Sequence, residues 1–281
     1  MKVGLVSIQK NRAPWLHEWV AFHHLVGFSN FYVYAHNCDD GSQQLLSRLA
    51  QSYELKAFAL NTHENQIQLK AYQHAYEHFG HECDWLAFID GDEFLFPTAA
   101  ATVSEALADY HYQRISALGV YWACFGSSGH LQEPAGLVLH NYRRRPPLDW
   151  SINSHIKSIV RGRQATRVGQ NSHLFQTPWG TRDELGREVL AGHTPHPPST
   201  TRFRINHYVT QSREFFKSCK QTSGAADAGA AYVRPDSWWD KHDLNDERDD
   251  SVQHWIAPLR AEMARIEGLP EPGRLRLLTA A

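Results

Sequence analysis

Two carboxylates lie one residue apart directly after a short apolar run, in the stretch WLAFIDGD at residues 85–92. The run has the length and aromatic content of a buried parallel-sheet strand. Because ligand sites in open α/β sheets lie at the carboxyl ends of strands, Asp90 and Asp92 are placed where chemistry is expected. Gly91 lets the backbone bend so that both side chains can face one hard cation. The pattern predicts a Mg²⁺ or Mn²⁺ site completed by waters and substrate phosphates, with a solvated acidic turn as the alternative.

Strands and helices alternate before and around these carboxylates. Apolar runs predict strands at residues 2–8, 31–35, 55–60 and 85–89. Periodic apolar residues predict helices at 14–26 and 66–79, and another helix that runs through Leu45, Leu46 and Leu49. This alternation is typical of right-handed βαβ units in a parallel sheet. The fold class predicted is therefore α/β, with a mostly parallel central sheet flanked by helices.

The pattern changes after Pro97. It predicts a helix at 102–110, a strand at 114–124, an edge strand at 137–142, a loop at 143–147 and strands at 155–161, 165–175 and 204–208. Residues 176–201 are predicted to form a long surface loop, and 212–220 and 251–266 to form helices. We expect a catalytic domain at 1–220 with a helical C-terminal extension, 221–281, packed on it.

Composition limits the classes of protein to which this chain can belong. Its 281 residues are 42% hydrophobic and 21% charged, which is ordinary for a soluble globular protein. The formal net charge of −2 offers no basic surface for a nucleic acid. The four cysteines form no Cys-x-x-Cys pair, which argues against a disulfide framework and a thiolate metal site. With no apolar segment long enough to span a bilayer, we expect a cytoplasmic protein without a nucleic-acid partner.

Two further strand-to-helix loops should lie beside the Asp90 loop. Lys10 and Asn11 follow the first strand, and Asn37, Asp39 and Asp40 follow the second. Lys10 can meet a phosphate as a point charge, and Asp39 or Asp40 can accept hydrogen bonds from a ribose or base. The Gly-x-Gly-x-x-Gly fingerprint of dinucleotide binding is absent here. Ordinary turn chemistry is the alternative for residues 37–42.

A glycine- and serine-rich loop, FGSSGH at 125–130, follows another predicted strand. Its backbone N–H groups and the hydroxyls of Ser127 and Ser128 can contact a sugar or phosphate closely. The spacing fits neither a P-loop nor a nucleophile elbow. A plain turn is the alternative.

Late histidines and several lysines complete the set of candidates. His173 and His207 each follow or end a late strand, where a further metal ligand can arrive, although a core or surface histidine is the alternative for each. Lys70 and Lys157 are cations that can stabilise a leaving nucleoside diphosphate. An inverting transfer also needs a general base, and the candidates are His130, Glu133 and Asp149.

Taken in order, these residues resemble the GT-A class of nucleotide-sugar-dependent glycosyltransferases, and within it family 92-like and family 2-like enzymes. The resemblance covers about residues 1–220 and implies a GT-A fold, a UDP-sugar donor and Mn or Mg held by Asp90 and Asp92, with a late histidine as a further ligand. Family members often carry Glu after the Lys-Asn pair, where this chain has Arg12. The motifs that carry the resemblance are Lys10-Asn11, Leu16-x-Glu18-Trp19, His23, Asn37-x-x-Asp40-Gly41-Ser42, residues 85–94, residues 122–130, Lys157-Ser158-Ile159-Val160, His173 and His207-Tyr208.

We therefore expect a metal-dependent glycosyltransferase that moves a sugar from a UDP-sugar to a saccharide or glycolipid acceptor. Its expected role is in surface polysaccharide or lipopolysaccharide synthesis, in the cytoplasm or at the inner membrane surface. A metal-dependent nucleotidyltransferase or phosphohydrolase would use the same carboxylates and is one alternative. An inactive carbohydrate-binding protein with the same fold is another, and Arg12 is the residue that suggests it.

Overall fold

A mostly parallel sheet runs through the computed structural model, which describes residues 1–165, 167–222, 232–267 and 278–279. In its first half, each strand is followed by a helix that packs on the sheet, as the sequence predicts. The elements of this half are β1 (Val3–Gln9), α1 (Ala13–Leu25), β2 (Asn30–His36), α2 (Ser42–Leu49), β3 (Leu55–Leu60), α3 (Ile67–Phe79) and β4 (Trp85–Phe88). β1 pairs in parallel with β2 and β4, and β2 with β3. The predicted α/β fold class is confirmed.

The second half adds strands of both directions. Its first elements are β5 (Glu93–Pro97), α4 (Val103–His111), β6 (Ala117–Cys124), α5 (Val138–Asn141), β7 (Arg144–Arg145), a 3₁₀ turn (Ser151–Ser154), β8 (Ile156–Arg161), β9 (Arg167–Val168), β10 (Phe175–Gln176), β11 (Thr181–Asp183), β12 (Glu188–Val189) and β13 (Phe203–His207). The chain continues through α6 (Arg213–Phe215), a π-helical turn (Phe216–Lys220), α7 (Asp236–His242), β14 (Glu247–Arg248), a 3₁₀ turn (Gln253–Trp255), α8 (Ile256–Glu267) and β15 (Leu278–Thr279).

The order of strands in the sheet is β12-β11-β6-β8-β4-β1-β2-β3-β15. β8 lies between β4 and β6 and is antiparallel to both. β13 pairs in parallel with β6 and antiparallel with β5, so that His207 is opposite both Cys124 and Glu93. We call residues 90–93, which follow β4, the carboxylate turn. These pairings bring β8 and β13 beside it.

Four predictions for the second half are wrong in whole or part. Residues 137–142 contain helix α5 instead of an edge strand, because the carboxylate of Glu18 accepts the free N–H groups of Val138 and Leu139 at the start of that helix. The predicted loop at 143–147 contains β7, which pairs with β14. The predicted strand at 165–175 is reduced to β9 and β10, which form a two-stranded antiparallel pair. The predicted surface loop at 176–201 contains β11 and β12, and β11 extends the sheet beside β6.

The core lies on both faces of the sheet because strand residues alternate between the faces. Val3, Leu5 and Trp85 pack with α1, and Val6 and Phe88 pack with α3. Each of these side chains is fully buried. Burial of an aliphatic or aromatic side chain of this kind stabilises the fold by about 1.5–3 kcal/mol. The frame that positions the carboxylate turn is therefore rigid.

Apolar and charged contacts join the segment after residue 220 to the rest of the chain. Ile256 and Leu259 of α8 belong to the same hydrophobic cluster as α1. The carboxylate of Asp249 accepts hydrogen bonds from Arg145 and Arg204, each at 2.6 Å. The boundary at residue 220 stays a prediction. In the part of the chain that the structure describes, no helix is both long and apolar enough to cross a membrane.

Candidate active site

A polar cavity of about 530 Å³ lies at the carboxyl ends of β1 and β4. Its wall is formed by the loops after β1 and β2, by the carboxylate turn after β4, and by the π-helical turn. Seven residues predicted from the sequence as ligand-binding or metal-binding line it: Lys10, Asn11, Asn37, Asp39, Asp90, Gly91 and Asp92. The carboxyl edge of the sheet is thus where these residues converge, as the sequence predicts.

The loops after β1 and β2 are tied to each other by side chains. Asn11 Nδ2 donates to Asp39 Oδ1 at 2.7 Å, and Asp39 N donates to Asn11 Oδ1 at 3.0 Å. Asn11 and Asn37 have φ angles of 51° and 47°, in the left-handed region that Asn tolerates better than most residues. Asp40 does not line the cavity; it accepts hydrogen bonds from the backbone N–H groups of Ala13 and Ser42. Asp40 therefore fixes the loops and is not placed to contact a ligand in the cavity.

The carboxylate of Asp90 is held by three donors from other elements. Lys157 Nζ lies 2.9 Å from Asp90 Oδ2, and Gln68 Nε2 donates to Oδ1 at 2.6 Å. Tyr72 Oη is 3.4 Å from the same Oδ1. Burial raises the pKa of Asp90, but the charge and the hydrogen bond of Lys157, together with His207, lower it overall. Asp90 is therefore ionised, with one oxygen committed to Lys157 on β8.

The carboxylate of Asp92 faces the cavity and is paired with Lys220 at the end of the π-helical turn. His207 Nε2 lies 3.7 Å from the same oxygen, Asp92 Oδ2. Burial raises the pKa of Asp92, but the charges of Lys220 and His207 hold it well below its usual value. Asp92 is thus an ionised carboxylate that is paired with the ammonium group of Lys220.

Glu93 is the third carboxyl group of this turn, and it is fully buried. Burial, followed by the charges of Asp90 and Asp92, raises the pKa of Glu93 well above its usual value, although Lys157 lowers it. Glu93 Oε2 accepts a hydrogen bond from Asp90 N at 3.0 Å. The site therefore contains two ionised carboxylates and a third carboxyl whose protonated form is favoured.

Gly91 is packed closely against the loop after β1. A Cβ atom at Gly91 would lie 2.7 Å from Gln9 Cδ, closer than such atoms approach. Arg12 holds the turn from the other side, because its guanidinium donates to Gly91 O at 3.1 Å and to Gln211 Oε1 at 3.0 Å, and lies over the ring of Trp15. Arg12, the residue whose presence suggested an inactive carbohydrate-binding protein, is thus a buried support for the carboxylate turn.

The two histidines predicted as metal ligands occupy different places. His207 is beside Asp92, as described. His173 Nδ1 lies 2.7 Å from Ile156 O, and its ring packs against Trp122. Burial, and then the charge of Lys157, lowers the pKa of His173 to about 4. His173 does not line the cavity, so its role as a ligand stays a prediction.

The glycine- and serine-rich loop lies against the C-terminal segment instead of the cavity. Ser127 N donates to Asp243 Oδ1 at 2.6 Å, and Ser128 N donates to Asn245 Oδ1 at 2.7 Å. Lys70, predicted near the phosphates, is exposed and pairs with Glu64. Ser127, Ser128 and Lys70 therefore do not line the cavity.

The three candidates for a general base also lie outside the lining of the cavity. His130 Nε2 is 3.3 Å from Asn141 O. Glu133 Oε2 accepts hydrogen bonds from Tyr142 at 2.8 Å and Ser212 at 2.6 Å. Asp149 is exposed. Their catalytic role stays a prediction.

Asp92 and His207 are chemically suited to a divalent cation. An ionised carboxylate oxygen and an imidazole nitrogen are ligands that Mn²⁺ accepts, and His207 Nε2 lies 3.7 Å from Asp92 Oδ2, although only Asp92 lines the cavity. Within the described ranges, no group of three or more His, Cys, Asp and Glu side chains is arranged to hold a metal ion. A cation at Asp92 would therefore need oxygen atoms from a bound molecule or water as well.

Several residues of the site are missed by sequence reasoning. Gln68 is a buried polar residue on α3, and a polar residue on an otherwise apolar helix face is a signal that could have found it. Gln9, Arg12, Lys220 and Arg234 line the cavity but carry no motif. Lys220 and Arg234 reach the cavity only through tertiary packing, which spacing does not reveal.

An α/β sheet with ionised carboxylates and several cations at the carboxyl ends of its strands is typical of proteins that bind phosphorylated ligands. The model of one such family, glycosyltransferase family 92, matches residues 6–227. The chain belongs to glycosyltransferase family 92.

Relatives support this assignment. A family 92 protein of Oryza sativa subsp. japonica is 29% identical over 215 residues, which are 75% of this chain and 34% of that protein. One of Arabidopsis thaliana is 32% identical over 219 residues, 74% of this chain and 35% of that protein. The chain thus spans about a third of the length of these relatives. Among solved structures, S. aureus TarS 1-349 in complex with UDP-GlcNAc is 16% identical with a TM-score of 0.41, covering 58% of this chain and 46% of that one.

Proposed function

We propose that this protein transfers a sugar from a UDP-sugar donor to a hydroxyl group of a saccharide acceptor. Membership of glycosyltransferase family 92 supports the reaction class. The observation that carries the proposal for this chain is the turn of Asp90, Gly91 and Asp92 at the wall of a cavity of about 530 Å³. A cavity of that size is within the usual range for small-molecule sites, about 300–1,000 Å³.

The loops after β1 and β2 hold the nucleoside in this proposal. Asn11, Asn37 and Asp39 line the cavity on that side, and their amide and carboxylate groups can bond to ribose hydroxyls and a base. Lys10, Arg12, Lys220 and Arg234 supply positive charge to the same cavity. A diphosphate carries negative charge, so these cations favour its binding between the loops and the carboxylate turn.

We propose that Mn or Mg would be held by Asp92, with Asp90 and His207 beside it and with oxygen atoms of the diphosphate and of water as its remaining ligands. Such an ion, when bound, neutralises charge on the leaving diphosphate. Lys157 fixes the direction of the Asp90 carboxylate through its 2.9 Å contact. Arg12 keeps the turn in place by donating to Gly91 O. The chain therefore supplies a fixed carboxylate face against which a diphosphate can be oriented.

The transfer forms a bond between the acceptor oxygen and the anomeric carbon and breaks the bond between that carbon and the diphosphate oxygen. The electron pair leaves with UDP, and the acceptor proton passes to a base. His130, Glu133 and Asp149 stay the predicted candidates for this base. The predicted acceptor is a saccharide or glycolipid that is extended in the synthesis of a surface polysaccharide or lipopolysaccharide. The predicted place of this reaction is the cytoplasm or the inner membrane surface.

The test is release of nucleoside diphosphate from a panel of nucleotide-sugars, with Mn²⁺ and then with a chelator. We expect chelator-sensitive release of UDP from one sugar, accelerated by a saccharide acceptor. Asp92→Asn should reduce the rate by at least about a hundredfold, the size of effect seen when a group that stabilises transition-state charge is lost. Asp109→Asn is the control, because Asp109 is an exposed residue that pairs with Arg202, outside the cavity.

Different products would contradict the proposal. Release of pyrophosphate would indicate a nucleotidyltransferase, and release of inorganic phosphate would indicate a phosphohydrolase. Binding of UDP without any turnover of the panel would favour the carbohydrate-binding alternative. Full activity of Asp92→Asn would remove the carboxylate turn from the mechanism.

A further inference from the structure

Asp92, the carboxylate that faces the cavity, is already paired with the ammonium group of Lys220. Lys220 Nζ contacts Asp92 Oδ2, and the Asp92 side chain is only 6% exposed whereas that of Lys220 is 20% exposed. Lys220 is the last residue of the π-helical turn, whose Ser218 and Cys219 also line the cavity. The ion pair therefore lies on the cavity wall, between the carboxylate turn and a segment from much later in the chain.

The same oxygen atom is the one that a divalent cation would need. His207 Nε2 lies 3.7 Å from Asp92 Oδ2, the oxygen atom that Lys220 Nζ contacts. An ammonium group and a divalent cation on one oxygen would lie a few ångströms apart and repel each other strongly in a partly buried site. Lys220 must therefore leave Asp92 before a divalent cation can bind there.

Lys220 also needs a new partner when it leaves. An ammonium group without a counter-charge in a partly buried wall is unfavourable. Arg12, another cation that lines the cavity, is not free to move as Lys220 is. Its guanidinium is held by Gly91 O and Gln211 Oε1, and the residue is 7% exposed. The anionic oxygens of a diphosphate would lie in the same cavity and would accept the ammonium group of Lys220.

We propose that Lys220 is an exchangeable cation that occupies Asp92 when the cavity is empty and moves to the donor diphosphate when a divalent cation binds Asp92. This inference rests on the proposed function and adds a catalytic role for Lys220, as a cation on the leaving diphosphate. It has a thermodynamic consequence. Metal and nucleotide each create the partner that the displacement requires, so each should strengthen the binding of the other, and by the same factor.

The experiment measures Mn²⁺ binding to the full chain by calorimetry, with and without UDP. In the wild type we expect weak binding of Mn²⁺ alone and tighter binding with UDP. In Lys220→Gln, Mn²⁺ alone should bind about tenfold tighter, since no ammonium group competes, and UDP should enhance it less. UDP binding in the presence of Mn²⁺ should weaken. Lys220→Arg, which keeps the charge, should retain weak binding of Mn²⁺ alone.

Lys217→Gln is the matched control, because Lys217 belongs to the same turn but pairs with Asp236 and is 46% exposed. It should bind Mn²⁺ and UDP as the wild type does, which separates loss of Lys220 from damage to the turn. If Lys220→Gln binds Mn²⁺ alone no tighter than the wild type while UDP still enhances binding in both, the exchange is refuted and the proposed function stands. If the wild type binds neither Mn²⁺ nor UDP, both are refuted.

Discussion

Lys157 Nζ lies 2.9 Å from Asp90 Oδ2, and the Lys157 side chain is only 1% exposed. Burial lowers the pKa of Lys157, but the carboxylate of Asp90, through its charge and its hydrogen bond, helps to raise it overall, so the lysine is charged. The ion pair joins antiparallel β8 to the carboxylate turn after β4. A buried lysine in a strand of a glycosyltransferase family 92 protein is thus the counter-charge of its acidic turn.

Replacing this lysine should destabilise the fold. We expect Lys157→Met to lower the free energy of unfolding by about 1–3 kcal/mol, because the Asp90 carboxylate, whose side chain is 33% exposed, loses its buried counter-charge. Urea denaturation measures this. Lys70→Met is the control, since Lys70 forms an exposed pair with Glu64 and should change stability by about 1 kcal/mol or less. Equal effects of the two substitutions would contradict the role of Lys157.

Asp249 should be required for docking of the C-terminal segment. Its carboxylate contacts Arg145 and Arg204, which are both largely buried. Asp249→Asn should lower the free energy of unfolding by about 3–5 kcal/mol, because the buried guanidinium of Arg204 loses its counter-charge and that of Arg145 keeps only Glu247. The neighbouring Asp250→Asn should have little effect, since Asp250 is 48% exposed. Thermal or urea unfolding of both variants tests this, and an unaffected Asp249→Asn would contradict it.

Glu18 should make stability depend on pH. Burial raises its pKa to about 7, against the ordinary value of about 4.3 that applies in the unfolded chain. A raised pKa means that the folded state favours the protonated form, so this contribution is complete below about pH 4 and is lost as the pH rises through 7. Its size is roughly 3 kcal/mol.

Comparison with a variant isolates this contribution. Glu18→Gln cannot titrate, so its free energy of unfolding should decline less than that of the wild type between about pH 4 and 8. Glu77→Gln, at an exposed position of α3, should keep the wild-type slope. Urea denaturation at several pH values gives the slopes, and parallel curves for Glu18→Gln and the wild type would refute the assignment.

Gly91 should be required for activity more than for folding. In Gly91→Ala, the added Cβ would lie 2.7 Å from Gln9 Cδ, so either the Gln9 side chain, which lines the cavity, or the turn that carries Asp90 and Asp92 must shift. We expect UDP release to fall at least tenfold, since small displacements of positioned groups reduce rates strongly. Gly119→Ala in β6 is the control, because its Cβ would meet its nearest atoms at an ordinary 3.5 Å. Comparable activity of the two variants would contradict the prediction.

The half of the fold that contains β1 to β4 could be predicted closely from the sequence. The predicted strand at 55–60 coincides with β3, and the helix predicted at 66–79 differs from α3 by one residue. These elements are encoded locally, by apolar runs and by turn residues. For the same reason Asp90, Asp92 and five further residues from strand ends could be placed at one cavity.

The remainder depends on contacts between distant parts of the chain. β8 and β13 could be predicted as strands. Which strands they pair with could not be predicted, because pairing leaves no local pattern in the sequence. Residues 137–142 are apolar enough for a strand, and only the distant Glu18 makes a helix start at Val138. Lys220 reaches Asp92 through packing of a segment that has no motif.

The position of β8 between β4 and β6 also bears on the order of folding. β1, β2, β3 and β4 pair with one another, independently of the strands that come later in the chain, so this half can form early. The counter-charge of Asp90 arrives only with residue 157, after β5, α4 and β6 have been made and the long connection has closed. An incomplete chain, during synthesis or after cleavage before β8, would therefore carry its acidic turn unneutralised and would lack an interior strand of its own sheet.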